Sequence, residues 1–391
     1  MKVSFFVHNL AENPIVRIYP IAKAFEAMGW ETEVLGFLFG GAKIYEPYKD
    51  SLDYKTLRIK PTAISCFQNA ENLAAQAAGD IIYSGKPLIT SFLPALKASG
   101  EGKAKPLLLD IEDNDVEAFR PTTWLSYLKA VKNINSPGAY FVNHWLKQRA
   151  SCCCATTVSS SRLKTLYGGN ILLHGPPDSD SLVPIGSKKQ DDLRSEFGLP
   201  KDKLLLLFAG KARHHKGVRQ AVDALRELNN ESITLVLAGD PTQPDFEYAK
   251  SLLSHRVLLM GFVGQEKIQS LTQASDIGLV LQNRNEYTKS QVPAKLLESF
   301  ANGRPVISTS VGDLPDLLGV PEGASHLRGW VLDDLSQGSI RKTLLEVYAD
   351  WKSDGKAISY RGLEARRFHL ARASTDANKR LLSQILPTSC I

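Results

Sequence analysis

Short apolar runs recur along this chain, most ending in turn-forming or polar residues and followed by apolar positions three or four apart. Continuous apolar runs predict strands buried on both faces, and the helical spacing predicts helices covering them. In the first half the runs are Val3–Val7, Glu31–Leu35, Asp80–Tyr83, Pro106–Asp110 and Ala155–Ser159. In the second they are Leu204–Phe208, Ile233–Ala238, Val257–Met260, Ile277–Leu281 and Pro305–Ser308, with helices over Val218–Leu228 and Gln265–Ala274. This alternation predicts an α/β protein with doubly wound parallel sheets, whose ligands lie at the carboxyl ends of the strands. The chain has 391 residues, too many for one core. Gly, Pro, Ser and charged residues fill 174–192 and predict a hinge, giving domains over 1–184 and 185–365. A helix is expected over Glu364–Leu386, with Leu370, Ala373, Ala377, Leu381, Leu382 and Ile385 as its buried stripe.

Charge and composition narrow the function classes. The net charge of +6 suits an anionic ligand, and no apolar run approaches the ~20 residues that span a bilayer. Met1-Lys2 leads straight into the first strand, which reads as a cytoplasmic chain without a secretory signal. The cysteines, Cys66, Cys152-Cys153-Cys154 and Cys390, show no paired metal spacing and are expected as reduced thiols. No Gly-x-Gly-x-x-Gly follows the first strand and no Walker loop occurs, which argues against a dehydrogenase or P-loop NTPase. No nucleic-acid-binding motif is present.

The densest chemistry lies in residues 290–317. A loop from Ser290 leads into a short helix carrying Lys295 and Glu298, a glycine stop at Gly303, and the strand Pro305–Ser308. Backbone N–H groups, a cation and a carboxylate around one helix N-terminus suit a phosphate with a hydroxyl-rich sugar beside it. Upstream, Leu204–Phe208 delivers the chain into Ala209-Gly210-Lys211-Ala212-Arg213-His214-His215-Lys216-Gly217.

Pro293-x-Lys295-x-x-Glu298, followed by Ala301-x-Gly303-x-Pro305-Val306-Ile307, resembles the signature of the family 4 glycosyltransferases, retaining enzymes of the two-Rossmann-domain GT-B architecture. The resemblance implies that Glu298 holds the ribose hydroxyls of a nucleotide and that the amides before it, Leu297's included, face the diphosphate. Ser290 stands where the fuller signature has a second glutamate, so a sugar contact there is weaker or made by backbone. Lys211 stands at the usual arginine, while Lys216 and Gly217 match; these cations would grip the diphosphate, with Arg213 or His214 sharing the load. The loop Gly261–Gly264, including Val263, would read the nucleobase through its backbone.

In the first half, Asp110-Ile111-Glu112-Asp113-Asn114-Asp115 closes a strand. Such a cluster is either an acidic helix start or a catalytic loop. The resemblance places Glu112 at a histidine near the donor sugar, so Glu112 or Asp113 is expected to touch that sugar or the acceptor hydroxyl, with Lys216 as the third catalytic candidate. Asp113-Asn114-Asp115 also spells a metal-binding Asp-x-Asp, but the surrounding pattern is wrong for it and no metal is expected. Trp124–Arg149 mixes aromatic residues with lysines, and a core-facing helix pair is favoured over a bilayer-interface segment.

The sequence therefore predicts two Rossmann-like domains facing across a cleft, the C-terminal helix over 366–391 crossing back to the first. The predicted function is retaining, metal-independent transfer from a nucleotide-diphosphate sugar to a glycan, lipid-linked or small-molecule hydroxyl, as in polysaccharide biosynthesis, in the cytoplasm or peripherally at the inner membrane face. An epimerase or phosphorylase on the same fold and a non-catalytic sugar-nucleotide-binding protein stay open.

Overall fold

The structure, a computed structural model, describes residues 1–118, 120–132, 139–176, 179–182, 186–251, 256–323 and 327–386. The chain divides into two units, one of Met1–Pro177 with Thr375–Ile391 and the other of Asp178–Ser374.

Among its described residues the first unit holds seven strands: β1 (Lys2–Val7), β2 (Glu31–Phe39), β3 (Tyr54–Ile59), β4 (Ile81–Gly85), β5 (Leu107–Ile111), β6 (Ala155–Val158) and β7 (Asn170–Ile171). They pair in parallel in the order β3-β2-β1-β4-β5-β6-β7. The order reverses between β1 and β4, the switch point at which such sheets open a crevice. Both faces are covered, by one cluster around Phe6, Phe37, Phe92 and Leu109 and another around Phe5, Phe25 and Tyr83.

The second unit holds β8 (Leu204–Ala209), β9 (Ile233–Ala238), β10 (Val257–Gly261), β11 (Ile277–Val280), β12 (Val306–Thr309) and β13 (Gly329–Leu332). Their order is β10-β9-β8-β11-β12-β13, again parallel, with the switch between β8 and β11. Leu204, Leu206 and Phe208 face one cluster, and Leu205 and Leu207 face the other. That is why β8 reads as one unbroken apolar run.

Two expectations need correction. The single helix over Glu364–Leu386 is two helices, Lys356–Arg372 and Thr375–Ile385, because the backbone leaves the helical region at Ala373 (φ −135°). Leu370 is exposed, whereas Ala373 and Leu382 are buried. The predicted hinge over 174–192 is entered by the helix Ser187–Glu196, and His174 at its start is buried. Pro177, Asp178, Val183 and Pro184 of that stretch lie outside the described residues, as does Cys390.

Candidate functional site

In the second unit the strand-end loops are tied to one another by backbone. Gly210 N–H donates to the Ala238 carbonyl at 2.8 Å, and Gly239 N–H to the Gly261 carbonyl at 2.7 Å. Asn283 N–H donates to the His215 carbonyl at 2.9 Å, and Gln282 N–H to Thr309 Oγ1 at 3.0 Å. The loops after β8, β9, β10, β11 and β12 thus form one connected rim. Along it run exposed Lys211, buried Ala212, exposed Arg213 and a single 3₁₀ turn His214–Lys216. Gly217 follows in the left-handed region (φ +67°) and opens the helix Val218–Leu228. A Cβ there would lie 2.7 Å from Leu281 Cβ, so the glycine lets the turn bearing Lys216 sit tight on the strand end.

The helix Ala294–Ala301 starts at Pro293 with no side-chain cap. In its first turn, half-buried Lys295 places Nζ 3.4 Å from the centre of the Phe208 ring and has no carboxylate within ion-pair distance among the described residues. Burial, reinforced by Lys216, holds its amine well below the ordinary lysine range. Burial likewise raises the Glu298 carboxyl, with Lys295 pulling the other way, and Glu298 has no hydrogen-bond partner for its carboxylate among the described residues. Burial, with Lys216 and Arg213, lowers His215 to about 4, so it sits neutral at this rim. Val263 lies half-buried in the loop after β10. The Leu297 side chain is in the core, so only its backbone can serve the site. Ser290 is fully buried, and its hydroxyl donates to the Glu286 and Tyr287 carbonyls at 3.1 and 3.0 Å, which turns it into its own loop.

The first unit gathers a second group of ionisable side chains at its switch point. Arg17 is buried and donates from Nε and a terminal nitrogen to Asp110 at 3.0 and 2.8 Å, and its other terminal nitrogen reaches the Leu172 carbonyl and His174 Nδ1, both at 2.8 Å. Thr157 donates to Asp110 at 2.6 Å and meets the Tyr83 hydroxyl at 2.7 Å. Asp110 therefore belongs to the buried framework and not to the half-buried acidic loop that follows it. Lys86, held in the left-handed region (φ +72°), sets Nζ at 2.8 Å from Asp115, 3.5 Å from Asp113 and 3.9 Å from Glu112. Tyr167 donates to Asn114 at 2.6 Å, and Ser159 to the Glu112 carbonyl at 2.5 Å. The loop is thus fastened from three elements. Burial pushes the Glu112 carboxyl up to about 7, Lys86 opposing and Asp113 adding to the rise. Burial and Lys86 lower His8, which bonds Thr90, to about 3.

Known proteins resemble this chain in the same places. The family described as glycosyl transferases group 1 matches residues 189–362. The 2-deoxystreptamine glucosyltransferase of Streptomyces kanamyceticus is 27% identical over 205 residues, covering 49% of this chain and 51% of that protein. The D-inositol 3-phosphate glycosyltransferase of Xylanimonas cellulosilytica is 30% identical over 173 residues, covering 41% of this chain and 40% of that protein. The chain thus spans about half, or less, of the length of these curated relatives. In fold, Anabaena Alr3699/HepE, solved in complex with UDP and glucose, aligns over 98% of both chains with a TM-score of 0.70 at 15% identity. Its two-Rossmann GT-B architecture is the one seen here.

The matched segment contains every second-unit residue singled out by sequence, on one rim of one sheet. Glu112 and Asp113 lie in the other unit, together on the Lys86 loop. Sequence reading missed Lys86, Tyr83 and His174; only Gly85-Lys86 at a strand end hints at a loop cation. The expectation for Trp124–Arg149 holds in part: the helix pair forms, and its second helix buries Val142 and Leu146 in the core. The segment forms helices Trp124–Lys132 and Tyr140–Gln148, and Trp124 (71% exposed), Leu125, Tyr127, Leu128, Phe141 and Trp145 are exposed instead of core-facing. Its apolar spacing is amphipathic, but the covered face is the one with Val142, Asn143 and Leu146.

Proposed function

We propose that this protein transfers a sugar, with retention, from a nucleotide-diphosphate sugar to a hydroxyl of a glycan or lipid-linked acceptor. The observation that carries the reading is the half-buried pair Lys295 and Glu298, an amine and a carboxyl that both lack an ion-pair partner among the described residues, at an uncapped helix start. A diphosphate supplies the charge the amine lacks, and ribose hydroxyls supply the donors the carboxylate lacks. Lys211, Lys216 and Arg213 on the neighbouring turn, with the helix N-terminus, stabilise the leaving diphosphate. The bond from the anomeric carbon to phosphate oxygen breaks, the bond to the acceptor oxygen forms on the same face, and the hydroxyl proton passes to the departing phosphate. In the first unit, Glu112 and Asp113 are assigned to a sugar or acceptor hydroxyl. No metal is needed, because the cations already present do its electrostatic work.

The test is a thermal-shift and calorimetric screen of UDP, GDP, ADP and their sugars, followed by the anomeric configuration of product by NMR with and without chelator. A matching nucleotide at ~100 times its dissociation constant should stabilise by about 2.7 kcal/mol. Absence of binding by all three nucleotides would defeat the reading, and activity lost to chelator but restored by Mn²⁺ would defeat its metal-free form.

A further inference from the structure

From Ala118 to Pro177 the chain carries seven Lys or Arg and not one Asp or Glu. Within this stretch lie the helices Trp124–Lys132 and Tyr140–Gln148, which expose Trp124, Leu125, Tyr127, Leu128, Phe141 and Trp145. The rings of Tyr127 and Phe141 stand 6.4 Å apart, so the two helices contribute to one continuous face. Large exposed apolar patches mark docking surfaces. Acidic neighbours offset the cations only partly: Glu117 is shared by Lys147 at 3.3 Å and Arg120 at 3.8 Å, Glu101 pairs with Arg149, and Lys129 stands exposed. Arg149 also lies over the exposed Trp145 ring, 5.3 Å from its centre.

We propose that the face built by the helices Trp124–Lys132 and Tyr140–Gln148 is a peripheral membrane-binding surface that selects anionic lipid. Its aromatic and leucine side chains enter the headgroup boundary while its cations stay among lipid phosphates. A second copy of this chain is the poorer occupant, because a symmetric contact would set exposed Lys129 and the other cations of this face against themselves. The surface deepens the lipid-linked acceptor reading by bringing the protein to a bilayer, but it is measured without donor or transfer.

The experiment is co-sedimentation of the full chain with vesicles of phosphatidylcholine alone and of phosphatidylcholine mixed with phosphatidylglycerol. Binding should require phosphatidylglycerol and weaken with salt. Each cation near an anionic surface strengthens binding about fivefold, so Lys129→Glu, a two-charge change, should weaken it about 25-fold. The pair Trp124→Ser with Leu128→Ser should abolish pelleting while thermal unfolding and nucleotide calorimetry stay as in the unaltered chain, since both sites are exposed. Protein left in the supernatant with both vesicles, or a serine pair that pellets undiminished, overturns the proposal. So does sedimentation equilibrium showing a dimer that the serine pair dissociates, which would give the face to a second copy. Failed nucleotide binding with intact lipid binding would refute the donor reading alone.

Discussion

Replacing Arg17 by Met tests the framework beneath the first unit's loop. Arg17 is 2% exposed and Asp110 1%. In Arg17→Met the Asp110 carboxylate keeps only the Thr157 hydroxyl as a named donor, and the Leu172 carbonyl and His174 Nδ1 each lose one. Removing one partner of a buried pair costs about 3–5 kcal/mol, because the other charge stays without compensation. With a urea slope of about 2 kcal/mol/M, the first unfolding midpoint should fall by about 2 M. Asp110→Asn should cost a comparable amount. The double variant should cost clearly less than the two together, by about 2 kcal/mol or more, because it leaves no lone charge. Urea unfolding followed by circular dichroism measures all four corners. A midpoint shift under about 0.5 M for Arg17→Met, or strictly additive costs, would show that the pair is not a coupled buried unit.

Glu112 makes stability depend on pH. Its carboxyl titrates near 7 when folded, against an ordinary value of 4.5, so the folded state holds the extra proton between these values and loses stability as pH rises through them, by at most about 3 kcal/mol. Glu112→Gln cannot titrate, so its stability relative to the parent should grow across that window; a constant difference contradicts the assignment. Lys216→Ala should weaken nucleotide-diphosphate binding about 10- to 100-fold with the fold intact, as calorimetry would show, and unchanged affinity removes Lys216 from the site. Glu298→Gln should penalise a ribonucleotide more than its deoxyribose counterpart; equal penalties would mean that Glu298 does not meet the ribose. Gly217→Ala, at φ +67° against Leu281, should cost about 1–3 kcal/mol, and an unchanged melting temperature would show that the turn relaxes freely.

The central strands were legible because each is apolar on both faces, a property written in consecutive residues such as Leu204–Phe208. β3, β7 and β13 were not read. Each sits at a sheet edge, where the pattern thins: β3 is only partly buried along its length, and β7 is two residues long. Likewise, the second unit's rim could be read because its groups fall in two short segments, Gly210–Gly217 and Ser290–Glu298. The first unit's network joins Arg17, Lys86, Asp110, Thr157 and His174, residues up to 157 positions apart. No local spacing encodes such a set; only the parallel sheet brings their strand ends together. The exposed face at Trp124–Arg149 misled for a related reason. Amphipathic spacing says that a helix has an apolar side, but not whether protein covers it.

The first unit is interrupted in sequence, and its core is finished from the far end of the chain. The helix Thr375–Ile385 rests on the helix Ile15–Glu26, and Leu382 and Leu386 join the cluster of Phe5, Phe25 and Tyr83. During synthesis the N-terminal sheet must therefore wait, one apolar face incomplete, while all of Asp178–Ser374 is translated. The second unit closes its core from Asp178–Ser374 alone, so the first unit depends on residues made after the second and the second on none made after it. A released chain truncated before residue 375 should carry a protease-resistant second unit and a protease-sensitive first one.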